Sequence, residues 1–169
     1  MALFKKQSLD GWGHTMDLLA GTLTSQTNSS DNLVPGNDDF GDVSGLLGAD
    51  YDAEGIYEIQ EGPLTVKLWV RIYAALGLRF VGVCSLLGAC DGDTDISSIM
   101  ISPPFMGVDS SGLGLGSVRD DLEALIGEGT ESEPDFFVYE GQRDLGVFYG
   151  TADNCDQIAV SFVLNYVSD

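Results

Sequence analysis

The sequence predicts a mainly β protein: an antiparallel β-sandwich or barrel-like domain with one short helix and a long irregular N-terminal arm. Apolar and other side chains alternate along residues 64–74, LTVKLWVRIYA, and again along residues 158–167, IAVSFVLNYV. A period of two is typical of a β-strand, because successive side chains point to opposite faces. Glycine supplies 22 of the 169 residues, which favours turn-rich β structure over long helices.

The alternation along residues 64–74 also predicts which face of that strand is buried. The buried face is assigned to the aliphatic set Leu64, Val66, Leu68, Val70, Ile72 and Ala74. On this register we expect Val70→Asp to abolish folding, because an unpaired buried charge costs several kcal/mol, comparable to the whole stability. Lys67 falls on the other face, so Lys67→Asp is expected to be mild.

Glycine and proline divide the rest of the body into short segments. Further strands are predicted at residues 56–60, 78–87, 96–102, 136–140, 145–149 and 158–167. The last strand is apolar on both faces, which places it in the middle of a sheet. One helix is predicted, with Ser117 as its N-cap, Asp120 and Asp121 in its first turn and Gly127 after its end.

Two regions are predicted from the distribution of apolar positions: an extended N-terminal arm, residues 1–55, and a β-sandwich-like body, residues 56–169. Residues 25–62 are polar and show little periodicity, which is long for a connection inside a compact domain. Residues 15–20 show a weak helical pattern. The arm is therefore expected to add little to the core, and a chain beginning at Glu54 to fold alone. Its apolar side chains are predicted to bind a partner: Leu3, Phe4, Trp12, Leu18 and Leu19.

Composition excludes several classes of protein. With 27 acidic and 7 basic residues the net charge is −20, so phosphate backbones would repel the chain and nucleic-acid binding is not expected. The most apolar run, residues 72–90, contains Arg79 and three glycines, so no membrane-spanning helix is predicted. MALFKK at the start lacks the apolar region of a signal peptide.

Catalytic residues are sparse. There is no GxSxG motif, and His14 is the only histidine, so the chain is predicted not to be an enzyme. An acidic hydrolase with a carboxylate pair remains an alternative, since Asp and Glu are abundant. Cys84 and Cys90 either close a short loop or remain free buried thiols, and spacing alone leaves both possibilities open.

Residues 50–61, DYDAEGIYEIQE, match the spacing of a calcium-binding loop. Asp50, Asp52, Glu54 and Glu61 occupy ligand positions, and Gly55 stands where such loops turn sharply. The flanking residues do not form the helices of an EF-hand, because Gly62-Pro63 and a strand follow. Calcium is thus the one candidate cofactor, and these four residues are its candidate ligands.

The arm and the two alternating strands, residues 64–74 and 158–167, together resemble the small β-rich structural proteins of tailed-virus particles, above all head decoration (cement) proteins. The resemblance implies a structural subunit of the virion that binds the major capsid protein and copies of itself, often as trimers, and stabilises the capsid. Two alternatives belong to other classes: a secreted or cell-surface β-sandwich binding module that uses calcium, and the acidic hydrolase.

Overall fold

The computed structural model describes residues 14–25, 32–84 and 90–165. Within them, eleven strands form two antiparallel sheets, one of three strands and one of eight, accompanied by two helices. The prediction of a mainly β, antiparallel, sandwich-like domain is confirmed. Neither described helix has the length and apolar character required to cross a bilayer.

The small sheet contains β1 (His14–Asp17), β2 (Thr22–Ser25) and β3 (Asn32–Leu33). The large sheet contains β4 (Ala53–Glu61), β5 (Leu64–Tyr73), β6 (Leu78–Val83), β7 (Ile96–Ile101), β8 (Thr130–Glu133), β9 (Phe136–Tyr139), β10 (Leu145–Thr151) and β11 (Gln157–Leu164), in the spatial order β4-β5-β6-β7-β11-β10-β9-β8. The helices are α1 (Phe40–Leu47) and α2 (Arg119–Ile126). The C-terminal strand β11 lies between β7 and β10, as its two apolar faces predict.

Both helices and the small sheet pack on one side of the large sheet, here called the core face. Phe40 of α1 stacks on Trp69 of β5 with ring centroids 4.5 Å apart, and Leu122 of α2 is fully buried. Core-face side chains continue across the strands through Phe80, Ile99 and Phe162, all fully buried. The opposite side of the large sheet is here called the open face.

The predicted register of β5 is wrong. Trp69, Arg71 and Tyr73 are its buried side chains, whereas Val70 is only half-buried and lies on the open face. The two faces of this strand are both largely apolar, and the aromatic rings bring more area to the core than the aliphatic side chains do. Val70→Asp therefore places its charge on the more accessible side, and the predicted loss of folding no longer follows.

The arm contributes to the core wherever the structure describes it. Six of its side chains are at most 2% exposed and belong to the same hydrophobic cluster as the body: Met16, Leu18, Leu23, Leu33, Phe40 and Val43. The expectation that residues 1–55 add little to the core is therefore wrong for the described residues. Periodicity failed because the strands here are only two to four residues long.

Local signals explain the elements that the sequence did not predict. Residues 15–20 form the end of β1 and a turn instead of a helix, and Gly21 completes this turn at a positive φ of 65°. Helix α1 starts from a reciprocal cap in which Asp39 accepts from the N–H of Asp42 and Asp42 accepts from the N–H of Asp39. The proposed division at residue 55 falls inside β4, which begins at Ala53.

Helix α2 ends at Gly127 as predicted, but its N-cap is Val118 and not Ser117. The Ser117 hydroxyl instead accepts a hydrogen bond from the N–H of Gly114, which closes the preceding turn. The remaining predicted strands are present with shifted ends. Strand β8 was missed because its sequence, TESE, is polar and fully exposed.

Cys84 and Cys90 form a disulfide, whereas Cys155 is exposed and unbonded to another cysteine. Replacing both Cys84 and Cys90 by Ser is expected to lower the free energy of unfolding by about 2 kcal/mol, because the bond removes the entropy of a short loop from the unfolded chain. Urea denaturation measures the change. Cys155→Ser is the control and should leave the midpoint unchanged, and an unchanged midpoint in the double variant would contradict the prediction.

Candidate functional site

The open face carries the apolar side chains of the large sheet that point away from the core, and part of it is accessible. The strand registers place on it Tyr57, Ile59, Leu64, Val66, Leu68, Val70, Ile72, Val81, Val83, Met100, Phe136, Phe148 and Val163. The face is exposed on the β4, β5 and β6 side, where Leu64 is 56% and Val83 53% exposed, whereas Phe136 and Val163 toward the β8 side are buried, at 3% and 8% exposed. Neither helix nor the small sheet packs against this side of the sheet.

Charge is scarce on the open face. Along the described strands, only Glu61, Arg79 and Glu133 are charged residues on this face. The chain as a whole carries 27 acidic residues, so the acidic side chains are concentrated elsewhere. A contiguous apolar area bordered by polar residues is typical of a site that binds another protein.

Two grooves lie side by side on the open face. The larger has a volume of about 470 Å³ and is lined by Val83, Ser97, Ser98, Met100, Glu133, Phe136, Phe148, Val163 and Asn165. Its neighbour has a volume of about 240 Å³ and shares Met100. The Asn165 amide donates to the carbonyl of Ser97 at 2.6 Å, and the Ser97 hydroxyl donates to the carbonyl of Val81 at 3.0 Å. Apolar side chains of a partner would fit between these polar groups.

The hairpin formed by β4 and β5 extends the open face beyond the core. Residues 56–60 are exposed on both faces, and Ile56 and Tyr57 are 57% and 58% exposed. Gly62 and Pro63 form its two-residue turn, with Gly62 at a positive φ of 59°. Strand β4 is also one edge of the large sheet, so its outer backbone groups are available for pairing.

Arg71 organises a polar cluster between the hairpin and α1. Its Nε donates to Glu54 at 2.7 Å, and one terminal nitrogen donates to the Ser44 hydroxyl at 2.8 Å and to the Phe40 carbonyl at 3.2 Å. The guanidinium also lies over the ring of Tyr51. These contacts hold α1 on the sheet.

A second polar cluster joins α2 to the sheet. Glu123 accepts from Arg119 at 2.9 Å and from the Tyr139 hydroxyl at 3.0 Å, and the hydroxyls of Tyr139 and Tyr149 are 2.6 Å apart. Burial raises the pKa of both tyrosines. Burial also acts to raise the pKa of Glu123, but the hydrogen bonds from Arg119 and Tyr139 outweigh it and lower that pKa. At neutral pH the phenols are therefore protonated and Glu123 is ionised.

No family model, curated protein or solved structure matches this chain. The site must therefore be interpreted from its own geometry. The two polar clusters bind the helices to the sheet, whereas the β4, β5 and β6 side of the open face and the outer edge of β4 are exposed in the described part of the chain.

The structure does not bring the predicted calcium ligands together. Asp50 precedes β4, Asp52 accepts a hydrogen bond from the N–H of Ala74 at 2.7 Å, and Glu54 is paired with Arg71. Glu61 lies at the far end of β4, and at about 3.3 Å per residue it is roughly 23 Å from Glu54. The segment forms a strand because it pairs with β5 along its whole length. Among the described residues no group of three or more His, Cys, Asp or Glu side chains is arranged to hold a metal.

The predicted partner-binding residues have different outcomes. Leu3, Phe4 and Trp12 lie outside the described residues. Leu18 is 2% exposed and belongs to the core, so its assignment to a partner surface is wrong, whereas Leu19 is exposed. Sequence reasoning missed the open face because it assigned the aliphatic side chains of β5 to the core. The near absence of charge along that face was the signal that could have indicated a contact surface.

Proposed function

We propose that this chain is a non-enzymatic assembly subunit that binds another protein through the open face. The observation that carries the proposal is an accessible, nearly uncharged apolar sheet face on a chain of net charge −20. The described polar clusters use their groups internally and give no specific support to a hydrolase. Partner binding through a surface of this kind depends chiefly on apolar burial.

The dimensions of the open face suit a protein partner. With strands about 4.8 Å apart, eight strands span roughly 34 Å, and strands of about six residues are roughly 20 Å long. The whole face measures roughly 700 Å². Because Phe136 and Val163 are buried, its accessible part is smaller than the ~800 Å² that each partner contributes to a standard-size interface and suits the smaller interfaces of transient complexes. The grooves beside Met100 would receive the larger apolar side chains of the partner.

Within this class, the resemblance to head decoration proteins supports a virion subunit. The partner would then be the major capsid protein, with further copies of this chain around each attachment point. The apolar open face would lie against the capsid lattice, and the acidic remainder of the molecule would face solvent. This arrangement needs no calcium and no catalytic group.

A secreted or cell-surface binding module is the second candidate. The observation that favours it is the disulfide between Cys84 and Cys90, since disulfides persist mainly in oxidising environments outside the cytosol. In this case the same open face would bind a soluble or surface protein, and the chain would occur free in the medium.

The experiment counts copies of the chain in particles purified from its natural source, after supplying tagged variants during assembly. Val83→Lys introduces a charge at an exposed open-face position, and we expect at least a tenfold loss of bound copies. Val108→Lys is the matched control, because Val108 is 40% exposed in the loop on the other side of the sheet. Quantitative mass spectrometry provides the counts, and circular dichroism verifies that both variants fold.

Absence of the chain from particles would reject the virion assignment and favour the secreted module. Equal attachment of the Val83→Lys and Val108→Lys variants would reject the open face as the binding surface. Loss with both variants would point to a different contact region and would equally contradict the proposal.

A further inference from the structure

The two edges of the large sheet differ in their protection against pairing with another strand. Strand β8 is four residues long, carries Glu131 and Glu133, and has a register irregularity between them. Strand β4 is nine residues long, pairs with β5 without interruption and contains no proline. Short length, charge and bulges are the usual means of protecting an edge. Edge β8 has all three, whereas edge β4 is long and unbulged and has only its glutamates for protection.

Two of the three acidic side chains of β4 are paired with cations within the molecule. Glu54 binds Arg71 at 2.7 Å, and Glu58 lies 3.7 Å from Lys67. Both cations come from β5, on the inner side of the edge. An approaching strand therefore meets exposed Ile56, Tyr57 and Ile59 between carboxylates that have local counter-charges.

The hydrogen-bonding direction along β4 follows from β5. The N–H of Cys84 donates to the carbonyl of Lys67 at 2.8 Å, so the backbone groups of Lys67 point toward β6. Because directions alternate along a strand, those of Leu68 point toward its β4 partner Tyr57. The groups of Ile56 and Glu58 consequently point outward, where a further strand can bind them.

We propose that two copies of the chain pair antiparallel through β4, about a two-fold axis at Tyr57. In this register Tyr57 faces its own copy, and the outward-pointing residues bind each other: Ile56 faces Glu58, and Glu54 faces Gln60. No acidic residue lies opposite another. This inference rests on the edge strand and is independent of the open-face function.

The charges of β4 select this register over its neighbours. When the two-fold axis is perpendicular to the sheet, residues that lie opposite each other in the two copies share a face. The possible registers therefore differ by shifting this axis along β4 by one residue at a time. An axis at Ile56 would place Glu54 opposite Glu58, and an axis at Glu58 would place Glu58 opposite itself. Like charges directly opposite each other destabilise a strand pair. The axis at Tyr57 avoids this and pairs all nine residues of β4.

The strand proposed to pair with β4 is thus the β4 of a second copy, because this register places no acidic residue opposite another. The perpendicular axis leaves both open faces on the same side of one continuous sheet. The dimer would present twice the apolar area of one chain to a partner. The net charge of −20 opposes association at low salt, so physiological ionic strength should favour the dimer.

The experiment uses the full chain with Cys155→Ser. Because Cys84 and Cys90 form a disulfide, the introduced probe cysteine is then the only free thiol. In Tyr57→Cys the two probe residues lie directly opposite in a non-hydrogen-bonded pair, about 4.5 Å apart between Cα atoms, which a disulfide can bridge. We expect most of the protein to form a covalent dimer under mild oxidation. Ile59→Cys is the matched control, because its copies lie roughly 13 Å apart along the strand and should remain unlinked.

A second measurement requires no oxidation. Sedimentation of the unmodified chain should give twice the mass of 18.0 kDa, and Ile56→Pro should lower the dimer fraction at least tenfold by removing an outward N–H. Ile56→Thr keeps that N–H and should retain the dimer. Val83→Lys should dimerise normally, which separates this inference from the open-face proposal.

A single-chain mass at submillimolar concentration, a trimer, or equal cross-linking of the Tyr57→Cys and Ile59→Cys variants would overturn the inference.

Discussion

A chain truncated to begin at Glu54 is expected to show no cooperative unfolding transition. Truncation removes α1 and the small sheet, and with them six side chains that are at most 2% exposed: Met16, Leu18, Leu23, Leu33, Phe40 and Val43. Burial of each such side chain stabilises a fold by about 1.5–3 kcal/mol. Their joint loss is comparable to or larger than the ~5–15 kcal/mol that separates a folded domain from its unfolded chain.

A single substitution tests the same conclusion in the full chain. Phe40 is fully buried against Trp69, and Phe40→Ala should lower the free energy of unfolding by about 3–5 kcal/mol. Tyr57→Ala is a suitable control, because Tyr57 is an aromatic residue exposed on the hairpin, and its removal should change that free energy by no more than about 1 kcal/mol. Urea denaturation followed by near-ultraviolet circular dichroism measures both.

A truncated chain with a sharp transition and a native near-ultraviolet spectrum would contradict this prediction. It would restore the division into an independent body and an arm that adds little to it. A Phe40→Ala variant as stable as Tyr57→Ala would have the same consequence.

The features predicted correctly from the sequence depend on local signals. Gly127 ends α2 because glycine readily terminates a helix, and residues 141–144 separate β9 from β10 as a turn rich in polar residues should. The central position of β11 follows from apolar side chains on both of its faces. In each case the deciding information lies within about ten residues of sequence.

The features predicted incorrectly depend on distant contacts. Both faces of β5 are apolar, and the core face is determined by Phe40 and Ser44, which bind Arg71 from positions about thirty residues earlier. Strands β1 to β3 are too short for their periodicity to be recognised. The near absence of charge along the open face indicates an apolar surface, but the same aliphatic side chains would form a core if another layer covered them, so the sequence leaves open whether the face is a core or a contact surface.

Arg71→Met is expected to lower the free energy of unfolding by about 1.5–3 kcal/mol, the contribution of hydrogen bonds to a charged group. Arg71 is 5% exposed, and its loss removes the guanidinium donors of Glu54, the Phe40 carbonyl and the Ser44 hydroxyl. The loss is limited because the Ser44 hydroxyl still donates to the Phe40 carbonyl at 3.2 Å and the Tyr51 hydroxyl to Glu54 at 3.4 Å. Urea denaturation measures the change, and because the contacts join β5 to α1, hydrogen exchange should accelerate first in α1.

Arg79→Met is the matched control for the Arg71 prediction, because Arg79 is an exposed arginine on the adjacent strand and its loss should change stability by about 0.5 kcal/mol or less. Arg71→Lys keeps the charge but cannot reach Glu54 and Ser44 together as a planar guanidinium does, so intermediate stability is expected. Adding Glu54→Gln to Arg71→Met should recover part of the loss, since it removes the uncompensated charge. Equal stability of the Arg71→Met and Arg79→Met variants would show that α1 is held on the sheet by the stacking of Phe40 on Trp69 alone, and that the inward orientation of β5 depends on its aromatic side chains.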